Sequence, residues 1–176
     1  SGTQRTRPTT DFCDSVGRGI VTGKCAREFS NEVTGAVVKL EDMNPNSATY
    51  KQMINLSDLR GKVMKLALTS ENCFWCTVEA GQEDTVDKQY RDRDFLFVSV
   101  FTVNYGIWNV FKNSDDLTDP TSCGSHIKTW ATNYNTKTPI VCDVDLDGNG
   151  YGDISNFYDQ CNCAPQNFYV DKGGII

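Results

Sequence analysis

The sequence predicts an α/β fold built on one central sheet. Two runs, Val63-Met64-Lys65-Leu66-Ala67-Leu68 and Asp94-Phe95-Leu96-Phe97-Val98-Ser99-Val100-Phe101, have the near-continuous apolar and β-prone character of strands buried on both faces. Between them, Thr77 to Arg91 contains no Pro and a single Gly, and spaces Val78, Val86 and Tyr90 as a helix would. After them, Pro139–Cys142 and Gln166–Val170 read as further strands, and Asp171-Lys172-Gly173-Gly174 reads as a hairpin turn leading into Ile175-Ile176. Strand, helix, strand, helix, strand and hairpin is the order of a sheet covered by helices.

The remaining elements follow in chain order. Residues 1–30 lack periodicity and read as an irregular N-terminal extension, with residues 31–176 as the domain proper. Thr34–Leu40 and Gln52–Leu56 have the composition of two strands around a Pro45-Asn46-Ser47 turn, and Ser57–Lys62 that of a short helical turn closed by Gly61. Asn104–Ser122 is polar and turn-rich and reads as an insertion, and His126–Tyr134 as a helix. The chain stops just as a last strand begins, so the closing strand or helix is expected beyond Ile176.

Composition narrows the function classes. The 17 basic and 23 acidic residues give a net charge of −6, with no basic cluster, which argues against nucleic acid or an anionic membrane surface as partner. No apolar run approaches the roughly 20 residues of a membrane span. The start, Ser-Gly-Thr-Gln, reads as one from which a signal or lipid anchor has been removed. Eight cysteines in a chain long enough to bury a core without staples point to an oxidising compartment: periplasm, cell surface or medium.

Cys73-Phe74-Trp75-Cys76 lies between the first central strand and the first helix. There the first sulfur meets the unsatisfied N–H groups and positive end of the helix, which favour its thiolate, and two intervening residues bring the second sulfur within bonding distance. With its surroundings, this segment resembles the thioredoxin fold, and within it the exported thiol–disulfide oxidoreductases of the TlpA/ResA type. Leu59-Arg60-Gly61-Lys62-Val63 leads into the strand before Cys73 at that family's spacing. Glu79 follows Cys76 by three residues, as in its C-x-x-C-x-x-E pattern. Ala164-Pro165 followed by Phe168-Tyr169-Val170-Asp171-Lys172-Gly173-Gly174 is similar to its P-x-x-F-x-[IV]-D-x-x-G segment. The match covers roughly residues 55–176. Asn72 and Trp75 stand where the family usually has Trp and Pro.

The resemblance implies a thioredoxin-like three-layer fold with a central mixed sheet, and a catalytic set of Cys73, Cys76, Glu79 and Pro165. Cys73 is the attacking thiolate, Cys76 resolves the mixed disulfide, and Glu79 takes the proton of the Cys76 thiol. Pro165, in cis after Ala164, faces the dithiol and leaves adjacent backbone to pair with a substrate strand. Protein thiols and disulfides are the implied partners, with no organic cofactor. Three other readings compete. A peroxiredoxin-like peroxidase lacks its proline, since residue 66 is Leu. A four-cysteine zinc site with Cys161 and Cys163 suits a reduced compartment. A redox-inert, calcium-stabilised binding module would keep the fold alone.

Six cysteines remain for structural disulfides. Cys13 and Cys25 are a local pair, and Cys161 and Cys163, too close to join each other, are each expected to reach Cys123 or Cys142. His126, the only histidine, reads as a capping or surface residue.

A second segment, Asp143-Val144-Asp145-Leu146-Asp147-Gly148-Asn149-Gly150-Tyr151-Gly152-Asp153, alternates oxygen side chains with glycines, as a loop does around a hard cation. Counted from Asp145 it resembles an EF-hand loop, with Asp147, Asn149, the Tyr151 carbonyl and Asp153 as further ligands. Counted as an Asp-x-Asp-x-Asp-Gly loop, its first ligand is Asp143. Asn156 stands where the bidentate Glu belongs, so weak Ca²⁺ binding, about 0.1–1 mM, is expected, with a structural role.

Overall fold

The computed structural model describes residues 18–19, 22–31, 34–71, 73–102, 120–145, 152–158 and 165–176. Its elements are β1 (Arg18–Gly19), β2 (Cys25–Ala26), β3 (Leu40–Glu41), β4 (Met53–Ile54), β5 (Val63–Thr69), α1 (Phe74–Tyr90), β6 (Phe95–Phe101), α2 (Pro120–Tyr134), β7 (Ile140–Cys142), α3 (Asp153–Tyr158) and β8 (Gln166–Val170). Short 3₁₀ turns at Leu56–Leu59 and Arg91–Arg93 lead into β5 and β6.

The central sheet has the order β7-β6-β5-β8. Strands β5, β6 and β7 are parallel, while β8 runs antiparallel to β5 with Leu68 opposite Gln166 and Met64 opposite Val170. The units β5-α1-β6 and β6-α2-β7 step the same way across the sheet, which places both helices on one face.

Strand alternation then sorts the side chains. Met64, Leu66, Leu68, Val98, Val100, Val141, Phe168 and Val170 point to the opposite face, where they pack with Phe29, Leu40, Ile54, Leu56 and the α3 residues Ile154 and Tyr158. Phe101, Ile140 and Cys142 point to the helical face and pack with Cys76, Ala80, Cys123, Ile127 and Trp130. Helices or connecting segments thus cover both faces, which is why the two long strands are apolar along nearly their whole length.

Several boundaries differ from the sequence expectation. The strand expected over Thr34–Leu40 shrinks to Leu40–Glu41, paired antiparallel with Met53–Ile54. Gly35, at φ +67°, turns the chain inside the expected strand, and Asn31 accepts hydrogen bonds from the Thr34 amide and hydroxyl there. Helix α2 begins at Pro120, so the last residues read as insertion are helical. Pro suits a first helical turn, and the burial of Cys123 outweighs the turn-like composition of Ser122-Cys123-Gly124-Ser125. The returning segment after β8 pairs with the N-terminal region, Ile175 bridging Cys25 and the Ile176 amide bonding the Lys24 carbonyl.

Buried Asn55 joins three segments: it caps the Leu56–Leu59 turn, accepts from the Phe29 amide at 2.9 Å, and donates to the carbonyls of Phe29 and Val38.

Candidate active site at the start of helix α1

The dithiol is built by the junction of β5 and α1. The Cys73 amide donates to the Ser70 carbonyl at 3.2 Å, turning the chain at the end of β5. Cys73 then takes extended backbone as the N-cap of α1, and its Sγ accepts from the Cys76 amide at 3.1 Å. The helix therefore starts at Phe74, three residues before the expected Thr77, because the cap is supplied by the cysteine itself. Cys73 and Cys76 are joined in a disulfide with Cα atoms 5.2 Å apart. Cys76 lies in the core at 1 % exposure and Cys73 is half-buried above it. Cys73 is therefore the more accessible of the two, at a position where helix N–H groups would favour a thiolate.

Glu79 lies one turn further along α1. It forms an ion pair with Lys65 and accepts from Asn167 Nδ2 at 2.9 Å. Lys65 is the feature that the sequence reading missed. Placed mid-strand in β5, it is 6 % exposed on the helical face, with its ammonium 5.2 Å from the Phe97 ring centroid. A charged residue in an otherwise apolar buried strand requires a counter-charge, and that requirement was the available signal.

Glu83, one more turn along, is also buried. Desolvation pushes its pKa up to about 7. Neighbouring Glu79 and Asp87 push the same way, while Lys65 and a hydrogen bond with Ser99 oppose the shift. Lys65, Glu79 and Glu83 line a cavity of about 380 Å³ whose remaining wall includes Tyr90, Phe95, Phe97 and Tyr169.

Pro165 immediately precedes β8, one residue beyond the Leu68–Gln166 pair, at the end of β5 from which the dithiol segment departs. The Ala164–Pro165 bond lies outside the described residues. His126 is half-buried and bonds the carboxylate of Glu71, two residues before Cys73, through Nδ1 at 2.8 Å. It thereby links α2 to the segment leading into the dithiol.

The other disulfides correct one expectation. Cys123 and Cys142 bond to each other, with Cα atoms 6.2 Å apart, instead of each reaching Cys161 or Cys163. The sheet lays α2 directly against β7, so these two residues face each other in the core. Cys25 is disulfide-bonded, while Cys13, Cys161 and Cys163 lie outside the described residues.

Of the acidic segment, Asp143, Asp145 and Asp153 are described, whereas Asp147, Asn149 and Tyr151 are not. The ends of the segment are drawn together. The Asp153 amide donates to the Val144 carbonyl at 3.1 Å, and Asp143 Oδ1 accepts from the Ile154 amide at 2.7 Å, capping α3. Asp143 and Asp153 are 0 % and 1 % exposed. Among the described residues no three acidic, histidine or cysteine side chains converge as a metal-ligand set.

No known family profile matches the sequence, and no curated protein is significantly similar. Solved structures are similar in fold. The thioredoxin domain of a thiol-disulfide oxidoreductase from Bacteroides vulgatus is 16 % identical, with a TM-score of 0.57 over 90 % of this chain and 86 % of its own. A thiol:disulfide interchange protein from Bacteroides sp. is 15 % identical, with a TM-score of 0.57 over 89 % and 79 %. A secreted disulfide oxidoreductase of Mycobacterium tuberculosis is 16 % identical, with a TM-score of 0.51 over 77 % of each chain. The chain has a thioredoxin-like fold, and its structural neighbours include thiol–disulfide oxidoreductases.

Proposed function

We propose that this protein is an exported thiol–disulfide oxidoreductase that exchanges disulfides with protein substrates through Cys73 and Cys76. The observation that carries this reading is the pair itself, with a half-buried Cys73 capping α1 directly above a fully buried Cys76. A structural crosslink gains little from closing so short a loop, whereas a dithiol at a helix start gains an acidic, accessible thiol.

In the oxidised form, a substrate thiolate attacks Cys73 Sγ. A mixed disulfide forms, and Cys76 leaves as a thiolate that takes up a proton. The second substrate thiol loses its proton and attacks its own chain's sulfur, releasing Cys73 as a thiolate. The substrate is oxidised by two electrons and the protein reduced by two; the reverse sequence reduces a substrate disulfide. We assign Glu79, held by Lys65 and Asn167, to proton exchange with Cys76, and Pro165 to presenting backbone beside the sulfurs. Export is supported by the oxidised cysteines, and among the described residues no helix is long and apolar enough to cross a membrane.

A calcium ion in the 143–153 segment is proposed as a structural element. The alternation of oxygen side chains with glycines supports this reading, and the buried Asp143 and Asp153 lie where the two ends of the segment meet. Because Asp143 caps α3, the ligand set counted from Asp145 suits the loop better, with Asp147, Asn149, the Tyr151 carbonyl and Asp153. Calcium would supply only rigidity there.

The test of the main proposal is disulfide exchange on a reduced or mispaired protein substrate, run beside the Cys73→Ser variant. Turnover that Cys73→Ser abolishes is expected. Equal rates for both proteins would dismiss the dithiol as the reacting group.

A further inference from the structure

Two large side chains beside the dithiol are turned outward. Phe74 is 69 % exposed and Trp75 66 %, and Val78, on the same side of α1, is 39 % exposed. The two rings meet edge to face with centroids 5.2 Å apart, so each braces the other. Beyond them the exposed positions Gln82, Thr85, Lys88 and Gln89 are polar until Tyr90 at the far end. The first turn carries no acidic residue, and the carboxylates nearest in sequence on either side are engaged, Glu71 by His126 and Glu79 by Lys65 and Asn167. The surface around Cys73 on this helix is therefore apolar and uncharged. Leaving two aromatic rings in water forgoes stabilisation that a covering partner would restore.

We infer that Phe74 and Trp75 are specificity-determining residues: they select polypeptide disulfides flanked by apolar side chains. This rests on the exchange chemistry proposed above. The covalent step itself fixes the occupant. In a mixed disulfide with Cys73 the two bonded Cα atoms lie about 4.4–6.8 Å apart. With about 3.8 Å between consecutive Cα atoms, the residues flanking the partner cysteine fall within reach of the two rings. An apolar flank covers the rings; a polar flank leaves them wet and gains nothing from them.

The experiment uses two short synthetic peptides, each closed by one disulfide and identical except that Phe or Ser flanks the cysteines, so that net charge is the same. Second-order rate constants for their reduction by the reduced full chain are compared. The Phe-flanked peptide is expected to react about tenfold faster, equivalent to about 1.4 kcal/mol. In the F74S/W75S variant the ratio is expected to fall to about one. Because each ratio is taken within one protein, any change in thiol acidity or potential cancels. A ratio near one in the unmodified chain, or a tenfold ratio retained by the variant, overturns the inference. Hydroxyethyl disulfide separates the two levels: exchange with it but no peptide preference removes the specificity inference alone, and no exchange with any disulfide removes the proposed function as well. If sedimentation shows a dimer that F74S/W75S abolishes, the occupant is a second copy and the inference fails.

Discussion

Lys65, in the middle of β5, forms an ion pair with Glu79, one turn past the dithiol on α1, and thereby ties strand to helix. Both groups are largely withdrawn from water, with side-chain exposures of 8 % and 23 %. Removing one partner leaves a charge without its counter-ion, a loss much greater than the net worth of the pair. Lys65→Met is therefore expected to destabilise the protein by about 3 kcal/mol in urea unfolding. The double variant K65M/E79Q should recover more than half of that loss. Equal destabilisation by single and double variants would show that Lys65 acts through packing alone.

Glu83 sets a pH dependence of opposite sign to that of a salt-bridged carboxylate. Burial raises its folded pKa from 4.5 to about 7. The folded state thus holds a proton that the unfolded state has released, and the stabilisation from this group is complete below pH 4.5 and is lost as pH rises through 7. Glu83→Gln should flatten that decline. The variant is expected to be more stable than the parent at pH 8, by about 2 kcal/mol, and to lose the advantage at pH 5. A constant difference across the range would mean that Glu83 does not titrate in this window.

Gly152 faces the carboxylate of Asp143, and a Cβ built there would overlap it well inside van der Waals contact. The same carboxylate caps α3, so no side chain fits at 152 without breaking the cap. Gly152→Ala is expected to cost about 2 kcal/mol by denaturant unfolding, combining overpacking with loss of a cap. An unchanged midpoint would show that this junction relaxes freely.

The fold was legible where a residue's burial follows from its neighbours in sequence. The runs around Leu66 and Val98 announce buried parallel strands, and the junction of strand and helix announces where Cys73 and Cys76 come together. What could not be read depends on which elements become neighbours. Glu79 stands out by its distance from Cys76, but its partner Lys65 comes from β5, across the helix–sheet interface. Cys123 meets Cys142 because α2 lies along β7, a relation that cysteine spacing does not encode. The early start of α1 was hidden because Phe74 and Trp75 are indifferent helix formers and the cap is a cysteine. Glu83 looked like any polar helix residue until the sheet buried it.

The acidic segment makes a separate prediction. Calcium that binds only the folded state at a hundred times its dissociation constant adds about 2.7 kcal/mol. A chelator should lower the melting temperature, and calcium, unlike sodium at matched ionic strength, should restore it. Identical melting curves with chelator and with calcium would make the segment an acidic turn with two buried carboxylates and no ion.

The central claim is that Cys73 and Cys76 form a redox-active pair, and its most direct test is their reduction potential. Protein equilibrated in glutathione buffers of graded potential, quenched and alkylated, reports each pair separately. The buried Cys123–Cys142 disulfide should stay closed throughout and serve as the internal reference. Cys73–Cys76 is expected to open reversibly between about −120 and −270 mV, within the range of catalytic dithiols. A pair that stays closed to below about −300 mV would be a structural crosslink, and would contradict the account.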